Sequence, residues 1–153
     1  MHSTDEADFR FLTAADAVIR LRIAADERGQ AELQVFGNRA GLLSLANVLL
    51  WFVADASGRE FLGFGELPFV QVEPPLVVFL RLTDADGTGQ HGILRRTDRG
   101  EQFEWSIPED DLERVALIIH RLVCIPWHEY DRLMMGAGSD AEVQIRLTDG
   151  MSH

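Results

Sequence analysis

Lysine is absent from this sequence, and all 14 of its basic residues are arginines. Schiff-base catalysis, Walker-type phosphate loops and Ser-Lys dyads all need a lysine, so these mechanisms are excluded. Positive charge is also scarce, because 25 acidic residues give a formal net charge of -11. Binding to a phosphate backbone requires a basic patch or stripe. We therefore expect no nucleic-acid partner.

Cysteine and long apolar segments are scarce as well. Cys124 is the only cysteine, which excludes an internal disulfide framework. The longest apolar stretch, Leu42–Val53, has 12 residues and contains two polar ones, whereas a membrane-spanning helix needs about 20. Residues 1–6 are acidic and lack the pattern of a secretory signal. Together these features predict a cytoplasmic protein with no membrane partner.

The composition is that of an ordinary globular domain. The chain has 153 residues, of which 46% are apolar and 25% are charged, so it can bury a core without metals or disulfides. A chain of this length forms one domain by default. We expect a single domain over residues 16–148, with an N-terminal tail at 1–15 and a C-terminal tail at 149–153.

Alternation of apolar and polar residues predicts most of the strands. Ile19–Ile23 and Glu32–Val35 alternate with a period of two, and the turn residues between them predict a hairpin. Between residues 60 and 75, aromatic residues mix with glycine and proline, which is typical of short or edge strands. The remaining predicted strands are Leu76–Leu82, Ile93–Thr97, Gln102–Ile107 and Val143–Leu147.

Two main helices are predicted from apolar residues at helical spacing. The first spans Leu42–Val53 and has Asn38 as its N-cap. The second begins near Pro108, where two start signals disagree. Ser106 and Glu109 have capping-box spacing, whereas a proline suits the first helical turn. The sequence leaves that boundary open.

Pro126 is expected to end or kink the second helix, and Trp127–Met134 is expected to form a short third helix. Strands rarely alternate one-for-one with helices along the sequence, which is typical of α+β proteins. The predicted fold is therefore a single α+β domain, in which two main helices pack on a mainly antiparallel sheet.

A five-residue motif recurs along the chain, as LRLTD at 80–84, LRRTD at 94–98 and IRLTD at 145–149. Each copy is a predicted strand that runs into an acidic turn. Because the spacing between the copies is uneven, they do not predict a solenoid repeat.

Two patterns resemble metal sites. His120, Cys124 and His128 would line one side of an unbroken helix, and an acidic residue nearby could supply a fourth ligand. Pro126 should redirect the chain between them, and the apolar neighbours of Cys124 are typical of a core cysteine. The same argument counts against a Cys-His nucleophile pair.

The second pattern, at residues 84–89, begins like a calcium loop. Its first, third and fifth positions carry oxygen ligands and its sixth is glycine. The twelfth position, which should be a bidentate glutamate, is Arg95, and its positive charge would repel the ion. We expect no bound metal and no other cofactor.

Carboxylates are concentrated at the start of the second helix, in a group that we call the acidic ridge: Glu109, Asp110, Asp111 and Glu113. Acidic residues in a first turn stabilise a helix through its dipole, and paired carboxylates can do acid–base chemistry. A dense acidic ridge can also steer a basic protein partner. We predict that the ridge is a partner-binding site, and we assign no catalytic residues.

The most distinctive segment is Glu32–Phe52, a strand that runs into Gly-Asn-x-x-Gly-Leu and then a leucine-rich helix. The loop Gly37–Gly41 could bind an anion on its backbone N–H groups, but it lacks a lysine and the G-x-G-x-x-G pattern. The segment resembles predicted immunity proteins of bacterial polymorphic toxin systems. The resemblance implies a non-enzymatic protein-interaction module that inhibits a toxin, for example by masking the basic cleft of a nuclease.

The alternative hypothesis is a small enzyme or a ligand-binding protein with a pocket between sheet and helices. A deep pocket that holds His91, His120 or His128 beside a carboxylate would favour it. A further expectation is a homodimer, because apolar residues widen the stripe of the first helix and continue beyond it. These residues are Leu43, Leu50, Trp51, Phe61, Phe64 and Phe69.

Overall fold

The computed structural model describes residues 13–25, 27–54, 60–84, 90–97, 101–125 and 130–148. Within these ranges it contains nine strands, two long helices and a 3-10 helix at Phe64–Glu66. The helices are α1 (Arg39–Val53) and α2 (Glu109–Cys124). The strands are β1 (Ile19–Ala25), β2 (Ala31–Gly37), β3 (Phe61–Gly63), β4 (Val70–Val72), β5 (Val77–Thr83), β6 (Ile93–Arg96), β7 (Gln102–Pro108), β8 (Tyr130–Leu133) and β9 (Glu142–Leu147).

The strands form two mixed sheets. Sheet A has the order β4-β1-β2-β9-β8, and sheet B has the order β3-β5-β7-β6. The predicted α+β class and the predicted hairpin β1–β2 are confirmed. Among the described strands, four of the seven neighbouring pairs are antiparallel, as expected, but the strands form two sheets rather than one. Three neighbouring pairs are parallel, β1 with β4, β2 with β9 and β5 with β7.

Two of the parallel pairs, β2–β9 and β5–β7, arise because the chain repeats one unit, hairpin–helix–hairpin. The first half consists of β1–β2, α1 and the antiparallel pair β3 and β5, with β4 inserted between them. The second half consists of β6–β7, α2 and β8–β9. Each sheet takes the first hairpin of one half and the second hairpin of the other. The two hairpins of each sheet meet in a parallel pair, β2 with β9 in sheet A and β5 with β7 in sheet B.

The register of the two halves is also equivalent. Leu147 of β9 pairs with Gly37 of β2, and Leu82 of β5 pairs with Ile107 of β7. In β2, Gly37 is followed by Asn38, the N-cap of α1. In β7, Ile107 is followed by Pro108, the N-cap of α2. Two copies of the recurring five-residue motif, which begin at residues 80 and 145, therefore lie at the ends of the equivalent strands β5 and β9.

Both sheets and both helices share one core. Side chains from all four meet around a gap of about 10 Å³, which is lined by apolar residues. They are Ile19, Leu21, Leu33, Val35, Leu45, Leu49, Phe64, Trp105, Val115, Ile119 and Ile145. A gap of this size is too small for anything larger than about one water molecule.

The start of α1 confirms the predicted cap and explains the Gly-Asn-x-x-Gly motif. The side chain of Asn38 accepts hydrogen bonds from the backbone N–H of Gly41 at 2.7 Å and of Val18 at 3.0 Å. Its amide donates to the carbonyl of Asp16 at 2.7 Å. A Cβ atom at Gly41 would overlap the carbonyl oxygen of Val18. The motif therefore joins the helix to the chain that enters β1.

The boundary that the sequence left open falls at Pro108, which is the N-cap of α2. The hydroxyl of Ser106 instead donates to Glu104 within β7 at 3.3 Å. The predicted short helix at Trp127–Met134 is wrong over Tyr130–Leu133, which forms β8 and pairs antiparallel with β9, and residues 127–129 lie outside the described residues. The short strands between residues 60 and 75 are confirmed as β3 and β4, at the edges of sheets B and A.

Candidate functional site

The outward side of sheet A carries a group of arginine, glutamine and aromatic side chains that we call the arginine face. Alternation along β1, β2, β9 and β8 turns one set of side chains to the core and the other set away from it. The outward set is Arg20, Arg22, Glu32, Gln34, Phe36, Tyr130, Arg132, Glu142, Gln144 and Arg146. Its four arginines and two glutamates give a formal charge of +2, although the whole chain carries -11.

Arg22 is held in position at one end of this face. Its Nε donates to Oε1 of the cross-strand neighbour Gln34 at 2.6 Å. Its guanidinium also lies over the ring of Phe36, 4.8 Å from the centroid. These two contacts fix an exposed side chain that would otherwise sample many rotamers.

Arg146 is positioned in a similar way on β9. It lies directly opposite Tyr130 of β8, and its guanidinium is 5.5 Å from the centroid of the Tyr130 ring. In the described part of the chain, no carboxylate lies within 4 Å of the guanidinium of either Arg146 or Arg22. Both positive charges are therefore directed to solvent.

The opposite end of the face is internally neutralised. Glu32 and Glu142 are cross-strand neighbours, and Arg132 lies 3.9 Å from the first and 4.0 Å from the second. Glu32 is buried and accepts a hydrogen bond from Gln34 Nε2 at 2.9 Å. A continuous polar network thus runs from the ion-paired end to Arg22.

A groove of about 570 Å³ borders the arginine face where β4 adjoins β1. Its lining includes Arg20, Arg22, Phe36 and Gln71, and its far wall is formed by residues 72–74. Guanidinium groups, an amide and an aromatic ring therefore meet at one open depression.

The acidic ridge is only partly as expected. Glu109, Asp110 and Glu113 are exposed at the start of α2. Asp111 is fully buried, and its carboxylate accepts a 2.6 Å ion-paired hydrogen bond from Arg114. The exposed ridge therefore consists of three carboxylates, because the fourth points into the protein.

Among the other sequence candidates, the described residues Cys124 and His120 lie side by side near the end of α2. Cys124 is exposed rather than a core cysteine, and its Sγ lies 3.5 Å from Nδ1 of His120. His128 and residues 85–89 of the calcium-like segment lie outside the described residues. Among the residues described, no group of three or more His, Cys, Asp or Glu is placed to share a metal ion. Arg39, in the proposed anion loop, instead donates to the carbonyl of Val123 at the end of α2.

The alternative hypothesis of an enzyme or ligand-binding protein requires a pocket between sheet and helices. In the described core, the gap between them has only about 10 Å³ and an apolar lining. His91 lies elsewhere, where the segment before β6 meets the end of β8. Its ring Nδ1 accepts a hydrogen bond from the backbone N–H of Met134 at 2.9 Å, and the backbone N–H of His91 donates to the Met134 carbonyl at 2.8 Å. Burial lowers the pKa of His91; Asp111 opposes the shift, Arg114 adds to it and Asp131 opposes it. This histidine joins two segments of backbone.

The apolar residues that predicted a homodimer are divided between surface and core. Leu50 and Phe61 are exposed, at 42% and 41%. Phe64 and Phe69 are buried, and Leu43 and Trp51 are half-buried. Of these six residues, Leu50 and Phe61 are the two that remain exposed, and the homodimer stays a prediction.

Comparison with known proteins adds no assignment, since no family model, curated protein or solved structure matches the chain. Within the described ranges, neither helix combines the length and apolar character needed to cross a membrane.

The arginine face was missed by sequence reasoning, although one signal was present. Arg20 and Arg22 alternate with core residues on β1, and the same pattern recurs around Arg146 on β9. Alternation alone is explained by a half-buried strand. Only the parallel pairing of β2 with β9 brings the two groups of arginines onto one surface.

Proposed function

We propose that this protein is a non-enzymatic protein-interaction module, and that the arginine face is its principal binding surface. The observation that carries the proposal is the fixed presentation of Arg22 and Arg146 next to Phe36 and Tyr130. Arginine and aromatic side chains are enriched at protein interfaces and dominate binding hot spots. Side chains already held by neighbours lose less entropy when a partner binds.

Inhibition of a toxin, as in immunity proteins, is the specific form of interaction that we propose. The strand–Gly-Asn-x-x-Gly-Leu–helix segment supports it by resemblance. The exposed carboxylates of the ridge also support it, because they suit a basic partner. The protein would then act by covering its target rather than by chemistry of its own.

Partner capture with matched variants tests the proposal. The parent, a Tyr130→Ala/Arg146→Ala double variant and an Asn47→Ala variant on the exposed side of α1 are used to retain proteins from the source cell. The proposal predicts a partner that the parent and Asn47→Ala retain equally and the double variant loses. Equal retention by all three would contradict the arginine face as the binding surface.

A further inference from the structure

Because the two halves of the protein are equivalent, the outward side chains of sheet A can be compared with those at the same positions in sheet B. Arg22 faces Gln34 across β1 and β2, and in sheet B the equivalent pair is Arg95 and Glu104 across β6 and β7. The two pairs hold the same place relative to the helix that follows, since Gln34 and Glu104 each lie four residues before an N-cap. A neutral amide in sheet A thus replaces a carboxylate in sheet B.

The second pair of equivalent positions differs in the same direction. Arg146 lies over Tyr130 in sheet A, and Arg81 lies over Phe61 in sheet B, with 5.3 Å between the guanidinium and the ring centroid. Arg81 has Glu60 at 3.6 Å and Glu104 at 3.9 Å. Arg146 has no carboxylate within that range among the described residues. The same arginine–aromatic unit is neutralised in sheet B and left charged in sheet A.

We infer that the arginine face binds an acidic segment of a protein partner, with Arg22 and Arg146 as its carboxylate-binding residues. Charge complementarity carries the inference: two guanidinium groups, fixed by an amide and by aromatic rings, face solvent in a protein that is otherwise strongly acidic. Guanidinium groups bind carboxylates with short, charge-assisted hydrogen bonds. The inference rests on the proposed function and specifies the partner's chemistry.

The spacing of the two arginines suits an extended acidic peptide. β1 and β9 are separated by β2, and the register places Arg146 two residues further along the sheet than Arg22, so the two residues lie about 12 Å apart. Side chains four positions apart in an extended chain point to the same face and are separated by about 13 Å. A nucleic acid suits the face less well, because Glu32 and Glu142 lie at one end of it and Glu73 borders the groove.

Fluorescence anisotropy with a defined probe tests the inference. The probe is a labelled peptide of about nine residues with glutamate at every fourth position, so that the glutamates share one face at a spacing of about 13 Å. The same peptide with lysine in place of glutamate and a single-stranded oligothymidine of similar length are the comparison probes. The parent should bind the glutamate peptide most tightly, and the affinity should fall as salt is raised. Equal binding of both peptides, or tighter binding of the oligonucleotide, would overturn the inference.

Matched variants locate the binding on the arginine face. Gln34→Glu supplies sheet A with the carboxylate that sheet B has, and it should weaken binding of the glutamate peptide by about tenfold. Asn47→Asp makes the same change in net charge on the exposed side of α1. This control should bind the peptide as the parent does. Equal binding by Gln34→Glu and the parent would overturn the inference.

Arg146→Gln is a second variant, because the carboxylate introduced by Gln34→Glu would adjoin Glu32 and could reduce stability. Arg146 is exposed and contacts Tyr130, so its replacement should leave folding intact. It should also weaken peptide binding by about tenfold. If partner capture depends on the arginine face while peptide binding does not respond to either variant, the acidic chemistry is wrong and the proposed function stands.

Discussion

Asn38 shows how much of this fold depends on one polar side chain. The cap on α1 could be predicted, because an asparagine between a strand and an apolar helical stripe has a clear local role. Its bonds to Val18 and Asp16 could not, since those residues lie 20 and 22 positions away in the chain. Local chemistry identified the residue, and tertiary contacts determine its full contribution.

Replacing Asn38 by alanine should lower the free energy of unfolding by about 2–4 kcal/mol, because the cap is lost and further buried backbone groups lose their partners. Asn38→Asp keeps the accepting oxygen but not the amide that donates to Asp16. It should therefore cost less than the alanine variant. Urea unfolding of both variants measures the difference. If Asn38→Ala were as stable as the parent, the cap would not hold the start of the fold as described.

His91 gives the fold a dependence on pH. Its pKa is lowered in the folded state, chiefly by burial, from the usual value of 6.5. The unfolded chain therefore binds more protons than the folded chain between the lowered pKa and 6.5. The stability contributed by neutral His91 is present above pH 6.5 and is lost as the pH falls through that interval.

The pH prediction is tested by unfolding the protein between about pH 5 and 8, the range in which histidine titrates. The parent should lose stability as the solution is acidified. His91→Asn should lose less over the same range, because its side-chain oxygen can accept from the N–H of Met134 without titrating. Identical pH profiles for the two proteins would show that His91 does not cause the effect.

Helices and strands with long periodic patterns could be predicted from the sequence, but the pairing of the strands could not. Both main helices and most strands follow from apolar spacing, which reflects burial of one face. Alternation does not specify which strand lies alongside, so the parallel pairs β2–β9 and β5–β7 and the repeated unit were not predicted. β8 was missed because its four residues are too few to reveal alternation, and pairing with β9 overrides their local preference.

Leu49 tests the packing of α1 at this scale. Leu49 is 1% exposed and lines the point where both sheets and both helices meet. Leu49→Ala should lower the free energy of unfolding by about 2–5 kcal/mol, through lost burial and an enlarged cavity. The neighbouring Leu50 is 42% exposed, and Leu50→Ala should cost less than about 1 kcal/mol. Similar costs for the two variants, measured in urea, would contradict the orientation of α1.

The whole molecule separates charge into two surfaces of opposite sign. The exposed carboxylates of the ridge lie at the start of α2, and the arginine face lies on the outer side of sheet A. The ridge was predictable from four acidic residues in one helical turn, apart from the burial of Asp111. The arginine face was not, because the net charge of -11 conceals a local excess of arginine.

The ridge should steer a basic partner over a distance set by salt. Asp110→Asn removes one exposed charge from the ridge, and Glu27→Gln removes one from an exposed position outside it. With a captured basic partner, Asp110→Asn should slow association by about twofold or more at low salt. The effect should fade as the screening length drops from about 10 Å at 0.1 M salt to about 3 Å at 1 M. Equal association rates for the two variants, measured by stopped flow, would show that the ridge does not attract the partner and only stabilises the start of α2.

The absence of lysine makes the arginine face directly observable, because all 14 basic side chains carry a guanidinium Nε–H group. An assigned nitrogen–proton NMR spectrum of these groups, recorded with and without the captured partner, tests whether the arginine face is the binding surface. The Nε–H signals of Arg22 and Arg146 should move on binding, while those of Arg81 and Arg95 in sheet B should stay in place. Movement of the sheet B signals alone, or no movement of Arg22 and Arg146 at saturation, would contradict it.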